Sequence, residues 1–208
     1  MVYKVLIVDD QVLPRQLFGS IVDSSDHYEI AASISSAKMA DAYCAKEKID
    51  LILMDVVMSD GFSGLAAARR IKESYPDVKI IIVTSMPDAA FLDKARMAGV
   101  DSFWYKEVQD EPLLELMDRT MAGESVYPDA SPVTEIGKTL SSEFTDKEIG
   151  VLRLLAAGYT DREIAEELFI SVSTVRYHLN NMILKSGLSS RTALAVYAVK
   201  TGLVVPGV

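Results

Sequence analysis

The sequence predicts an α/β fold, a five-stranded doubly wound parallel sheet, followed by a small all-α domain of four helices. Three observations predict it. Short β-branched runs alternate with helical patterns across the first 122 residues, a stretch rich in Gly, Pro, Ser and Thr follows, and the remainder reads as helix alone.

The strands are expected at Tyr3 to Val8, Tyr28 to Ser33, Leu51 to Met54, Lys79 to Val83 and Ser102 to Tyr105. Continuous apolar runs such as VLIV and KIIIV suit central strands covered on both faces, and intervening helices of ~12 residues suit right-handed crossovers. Pro14 and Pro112 fall near helix starts, where a missing amide hydrogen is tolerated. Residues 123–143, GESVYPDASPVTEIGKTLSSE, lack apolar periodicity and read as a flexible linker between a domain at 1–122 and another at 144–208. Thr145 and Glu148 then form a capping-box pattern. Helices are expected at 145–157, 161–168, 172–186 and 190–201, with Gly158 and Gly187 marking two ends.

The chain has 208 residues, which suits one domain of ordinary size plus a small one. Its single cysteine, Cys44, cannot form an internal disulfide, and no basic-then-apolar signal pattern opens the sequence. The apolar runs are far shorter than the roughly 20 residues of a membrane helix. A cytoplasmic protein that does not enter membranes is expected. The formal charge of -9 is uneven: residues 1–140 hold 23 acidic and 14 basic side chains, whereas residues 141–208 hold 7 of each. Ser171 to Arg191 contains Arg176, Lys185 and Arg191 and no acid, so an acidic chain keeps one stretch suited to phosphates.

In an open parallel sheet, ligands collect beyond the carboxyl ends of the strands. The residues there are Asp9 and Asp10, Asp55, Thr84 with Ser85, and Lys106. Each alone is ordinary, since Asp is a common turn residue and Lys is usually solvated. Together they supply what phosphoryl transfer requires: an acceptor oxygen, neutralising charge and a hydroxyl donor. Three converging carboxylates call for a hard cation, and Mg²⁺ is the expected cofactor.

The segments VLIVDD, LILMDVVM, IIVTS and DSFWYK resemble the signatures of two-component receiver domains, a flavodoxin-like fold, across residues 1–122. The resemblance implies that Asp55 is the phosphoacceptor and that Asp10 and Asp55 bind Mg²⁺ directly, with Asp9 acting through water. It also implies the backbone carbonyl of Val57 as a ligand, Thr84 and Lys106 as the phosphoryl-sensing pair, and Phe103 as the switch aromatic. One segment departs from the pattern. Similar receivers read Asp-x-x-Met-Pro with a glycine eight residues after the acceptor, whereas Ser59 stands in place of the proline and Gly64 lies nine residues after Asp55.

The four C-terminal helices carry a second pattern. Val172, Val175, Leu179, Met182 and Ser186 share one helical face and are expected to pack inward, while Ser173, Arg176, Tyr177 and Asn180 share the opposite stripe, flanked by Thr174, His178, Asn181 and Lys185. Tyr159 and Phe169 are expected in the core. Residues 144–196 resemble the LuxR-type helix-turn-helix of NarL/FixJ response regulators, which implies Arg176, Tyr177 and Asn180 as base-reading positions. Thr174, His178 and Lys185 are expected as further DNA partners, with His178 ranked below Arg176 because a helix histidine can simply pack or cap. The apolar last helix suits pairing with a second copy.

The combined expectation is a phosphorylation-dependent DNA-binding transcription regulator. Its partners would be a sensor histidine kinase and double-stranded promoter DNA, with a homodimer forming on activation, and it would not be an enzyme acting on an external substrate. Two alternatives are a constitutive DNA-binding regulator whose receiver only dimerises, and an aspartyl-phosphate phosphatase. The second lacks the acid two residues after the nucleophile, where Val57 stands.

Overall fold

The computed structural model describes residues 2–106 and 111–206, which fall into two compact units. In the first, among the described residues, β1 (Tyr3–Val8), β2 (Tyr28–Ile34), β3 (Leu51–Met54), β4 (Lys79–Thr84) and β5 (Ser102–Tyr105) form a parallel sheet in the order β2-β1-β3-β4-β5. The helices between them are α1 (Val12–Asp23), α2 (Ala40–Lys46), α3 (Gly64–Ser74), α4 (Ala90–Met97) and α5 (Leu113–Met121). Successive strand side chains point to opposite faces. On one face Val5, Ile7, Leu53, Ile81 and Val83 pack with Phe18 and Val22 of α1 and with Leu116 and Met117 of α5. Their intervening neighbours Leu6, Val8, Ile52, Met54, Ile80 and Ile82 are equally buried. Burial on both faces explains why these strands read as continuous apolar runs.

The stretch expected as a flexible linker, residues 123–143, is hydrogen-bonded at both ends. Phe103 N–H donates to Val126 O at 2.9 Å, and the Tyr127 hydroxyl donates to Val100 O at 2.9 Å. Further on, β6 (Glu135–Ile136) and β7 (Thr139–Leu140) form an antiparallel hairpin in the second unit. Its Lys138 N–H donates to Ser186 O at 2.8 Å, and a Cβ on Gly137 would lie 2.2 Å from that same carbonyl. Ile136 is fully buried in the second core. Single anchors and backbone bonds hold these ends, which periodicity does not reveal.

The second unit contains α6 (Asp146–Ala156), α7 (Asp161–Glu167), α8 (Val172–Ser186) and α9 (Arg191–Lys200), close to the expected bounds. Capping boxes at Thr145 with Glu148 and Thr160 with Glu163 open α6 and α7, and Ser171 and Ser190 cap the other two. Val151, Leu152, Ile164, Leu179, Met182 and Leu194 centre the core. Val175, Leu179, Met182 and Ser186 are buried as expected, while Val172 is half-buried. Two core expectations fail. Tyr159 is 41% exposed and Phe169 is 95% exposed. Phe169 stands at φ 54° where α7 closes, with Ile170 N–H bonded to Ala165 O at 3.0 Å and Phe169 N–H to Glu166 O at 3.3 Å. That pair of bonds requires a left-handed residue just beyond the helix, which leaves its side chain in solvent. No described helix is long and apolar enough to cross a membrane.

Glu148 is buried and accepts from Lys185 Nζ at 2.8 and 3.0 Å as well as from Thr145 N–H at 2.9 Å. Burial raises its carboxyl, but the bonds from Lys185 and Thr145 outweigh that and hold it below the ordinary 4.5. A depressed carboxylate stabilises the fold above its ordinary pKa, and that stabilisation is lost as pH falls through the folded value. Glu148→Gln is therefore expected to destabilise the C-terminal unit by about 1–3 kcal/mol at pH 7. Urea melts at pH 7 and at acid pH should show the gap from wild type shrinking as the solution is acidified below the carboxylate range.

Candidate functional site

Sheet register assembles the first site. Val8 lies opposite Met54, and Asp55 N–H donates to Val8 O at 2.8 Å, so the residues after β1 and β3 emerge side by side. Thr84 lies opposite Tyr105, and Lys106 N–H donates to Thr84 O at 2.9 Å, which brings the ends of β4 and β5 to the same edge. The strand order reverses between β1 and β3, where such sheets open a crevice.

The resulting cluster is buried and charged. Asp9 and Thr84 are fully buried and Asp55 is 5% exposed. Lys106 Nζ lies 2.6 Å from Asp9 Oδ2 and 3.2 Å from Asp55 Oδ2. The Lys106 ammonium thus faces two carboxylates at once, both largely out of water. Burial pushes the Asp55 carboxyl up to about 6, against the pull of Lys106, and the neighbouring Asp9 adds to the rise. Asp9, Asp10 and Asp55 each offer an oxygen, all within 4.8 Å of one another. Asp10 Oδ1 is buried and has no hydrogen-bond partner among the described residues. An orphaned carboxylate oxygen beside two further carboxylates suits a hard divalent cation with oxygen ligands. Val57 is half-buried two residues beyond Asp55.

The second site lies on α8. Its side chains Arg176 and Tyr177 are 69% and 63% exposed, and Asn180 is exposed beside them. Thr174 and His178 are half-buried; the Thr174 hydroxyl is 2.7 Å from Ser171 Oγ, and the His178 ring meets Tyr177 edge-on at 5.8 Å. Lys185, expected among the DNA partners, has its ammonium between Glu148 and the carbonyl of Glu143 at 3.0 Å, so its charge is neutralised within the domain. Arg176 Nε donates to Asp161 Oδ2 at 3.0 Å, and Arg191 pairs with the other oxygen of the same carboxylate. The bond from Arg176 holds Asp161 below the usual carboxylate range, against the opposing effect of burial and with help from Arg191. Tyr159 lines the open depression formed by these groups with Thr160, Arg162 and Val172.

Residues 5–118 match the family model for the response regulator receiver domain, and residues 142–198 match that for bacterial regulatory proteins of the luxR family. The chain belongs to the LuxR-type response regulators. The oxygen regulatory protein NreC of Staphylococcus aureus is 32% identical to this response regulator over 214 residues, covering 96% of this chain and 98% of NreC. An RcsB–DNA complex superposes with a TM-score of 0.64 at 19% identity, over 96% of this chain and 98% of the other. RcsB from Salmonella enterica serovar Typhimurium, bound to promoter rprA in the presence of the phosphomimetic BeF3-, gives 0.62 at 20% identity, over 94% and 97%. At such identities the likeness concerns the fold. The family is one of DNA-binding transcription regulators and not of hydrolases, and the phosphatase alternative finds no footing in it.

Three residues of this response regulator escaped sequence reasoning. Gly64 was noted only for its spacing, yet a Cβ there would stand 1.8 Å from the Asp55 carbonyl oxygen, so the close approach of α3 to the acceptor requires glycine. Tyr127, within the presumed linker, sets its ring 6.1 Å from Phe103, which is itself 5.0 Å from Tyr105 and buried. Asp161 reads as an ordinary helix-start acid, and only the fold brings Arg176 and Arg191 onto it.

Gly64→Ala is expected to destabilise the receiver by roughly 1–3 kcal/mol, read from urea denaturation, because a methyl group must displace backbone. Asp161→Asn frees two guanidinium groups. It is expected to tighten binding to non-specific duplex by up to about 1 kcal/mol in fluorescence anisotropy at fixed salt.

Proposed function

We propose that this response regulator is switched by phosphorylation of Asp55 from a sensor histidine kinase, and that the switch controls dimerisation and binding to promoter DNA. The observation that carries the reading is the buried cluster in which Lys106 bridges Asp9 and Asp55 beside the orphaned oxygen of Asp10. An Asp55 carboxylate oxygen attacks phosphorus, the bond from phosphorus to the kinase imidazole breaks, and the imidazole nitrogen leaves. Asp9, Asp10 and Asp55, with the Val57 carbonyl, are the residues to hold Mg²⁺, which when bound supplies positive charge to the transferring group. Lys106 supplies the second cation, and Thr84 offers its hydroxyl to a phosphoryl oxygen. Thr84 and Phe103 then report the change of charge, a local electrostatic event biasing a two-state element.

At the DNA, Arg176, Tyr177 and Asn180 are exposed on one stripe of α8 and are assigned to base edges, with Thr174 and His178 alongside. On α9, Val196, Val199 and Tyr197 are exposed apolar or aromatic groups, which supports pairing with a second copy. Leu13 and Leu17 of α1 stand exposed shortly after Asp10 and offer the kinase an apolar surface near the acceptor. The reading places the protein in the cytoplasm, with kinase and promoter.

The test is intact-protein mass after incubation with Mg²⁺ and a small acyl or amido phosphodonor, coupled to size-exclusion analysis. Wild type is expected to gain one phosphoryl group and shift toward dimer, and Asp55→Ala to do neither. Operator affinity that is the same for wild type, phosphorylated protein and Asp55→Ala would favour a constitutive DNA binder instead.

A further inference from the structure

The loop between β3 and α3 holds one end of the metal-ligand set in place. Ser59 N–H donates to Asp10 Oδ2 at 2.9 Å, while the other oxygen of that carboxylate is the buried one with no partner among the described residues. The two halves of Asp10 are therefore unlike: one is anchored by the main chain and the other is left for a ligand. The anchor is itself tied down. Asp60 accepts from Ser36 Oγ at 2.6 Å and from Phe62 N–H at 2.9 Å, and Gly61 N–H closes a turn onto Met58 O at 3.0 Å. Gly61 takes φ 76°, which a turn of this kind asks of glycine. The turn is thus pinned, and the Ser59 amide within it faces Asp10.

We propose that the main-chain N–H of Ser59 is a positioning group for Asp10, holding one carboxylate oxygen so that the other is presented to a divalent cation. A ligand fixed before binding loses less freedom on binding, and partners that orient metal ligands raise affinity accordingly. Proline cannot fill this role, because it has no N–H. The residue that departs from the receiver pattern therefore supplies a bond that the pattern residue cannot make. The inference rests on the reading of Asp9, Asp10 and Asp55 as a Mg²⁺ site.

Two substitutions separate the amide from the side chain: Ser59→Ala keeps the N–H and Ser59→Pro removes it. In an NMR chemical-shift titration of the full-length ¹⁵N-labelled protein with Mg²⁺, the Ala variant is expected to bind as wild type does and the Pro variant about tenfold more weakly. Equal affinity for the Pro variant and wild type overturns the proposal. Hydrogen exchange at the Ser59 amide gives a second readout that does not need the Pro variant to fold: protection is expected in wild type and its loss in Asp10→Ala. Unprotected exchange in wild type likewise overturns it. Failure of wild type and the Ala variant alike to bind Mg²⁺, with the Ser59 amide still protected, removes the metal site itself and the positioning role with it.

Discussion

Two carboxylates buried at the end of a hydrophobic sheet and one lysine reaching back to them are the constraint on which the receiver depends. Charges removed from water are costly unless paired and hydrogen-bonded. Asp9 lies 97 residues from Lys106 in sequence, and only the register of four parallel strands brings them within 2.6 Å. A slip of one residue in any strand would turn its terminal polar group to the opposite face and leave a charge unpaired. The site and the fold therefore specify each other. The apolar runs position the acids, and the acids penalise every other register.

The same pairing sets one ammonium against two buried carboxylates. Lys106 faces Asp9 and Asp55 together, Asp10 keeps an oxygen with no partner among the described residues, and Asp55 is held at about 6 by burial. A group in this position favours arrivals that change its charge. That makes it a sensitive place to couple chemistry to conformation, and the buried aromatics Phe103 and Tyr105 lie on the neighbouring strand, with Phe103 packed against Tyr127 from beyond α5.

The centre of the sheet was legible because both of its faces are covered, so β1, β3 and β4 show as apolar runs and their ends as the polar residues that close them. Asp9, Asp10, Asp55 and Thr84 were readable for that reason, and Lys106 as the residue that follows β5. The exposed stripe of Arg176, Tyr177 and Asn180 was readable from helical spacing. The Glu148–Lys185 and Asp161–Arg191 pairs were not, since they join residues 37 and 30 apart and no local period encodes them. The hairpin at Glu135–Leu140 was hidden because two-residue strands carry no alternation, and its packing depends on one glycine and one isoleucine. Phe169 misled because hydrophobicity argues for burial, whereas the helix closure at that position dictates a backbone conformation that turns the side chain outward.

The double pairing at Asp161 bears on how this family's task is performed in time. A protein finds its site on DNA by loose encounters held by released counterions, followed by sliding and hopping along the duplex. Here the whole chain carries a charge of -9, and two guanidinium groups of the DNA-binding domain already share one internal carboxylate. Charge already neutralised inside the domain would release fewer counterions at an encounter with DNA, which favours shorter visits to unrelated sequence. On the proposed assignment of Arg176 to a base edge, the base contact would have to repay the breaking of its Asp161 pair, so that a long stay would be confined to matching sequence.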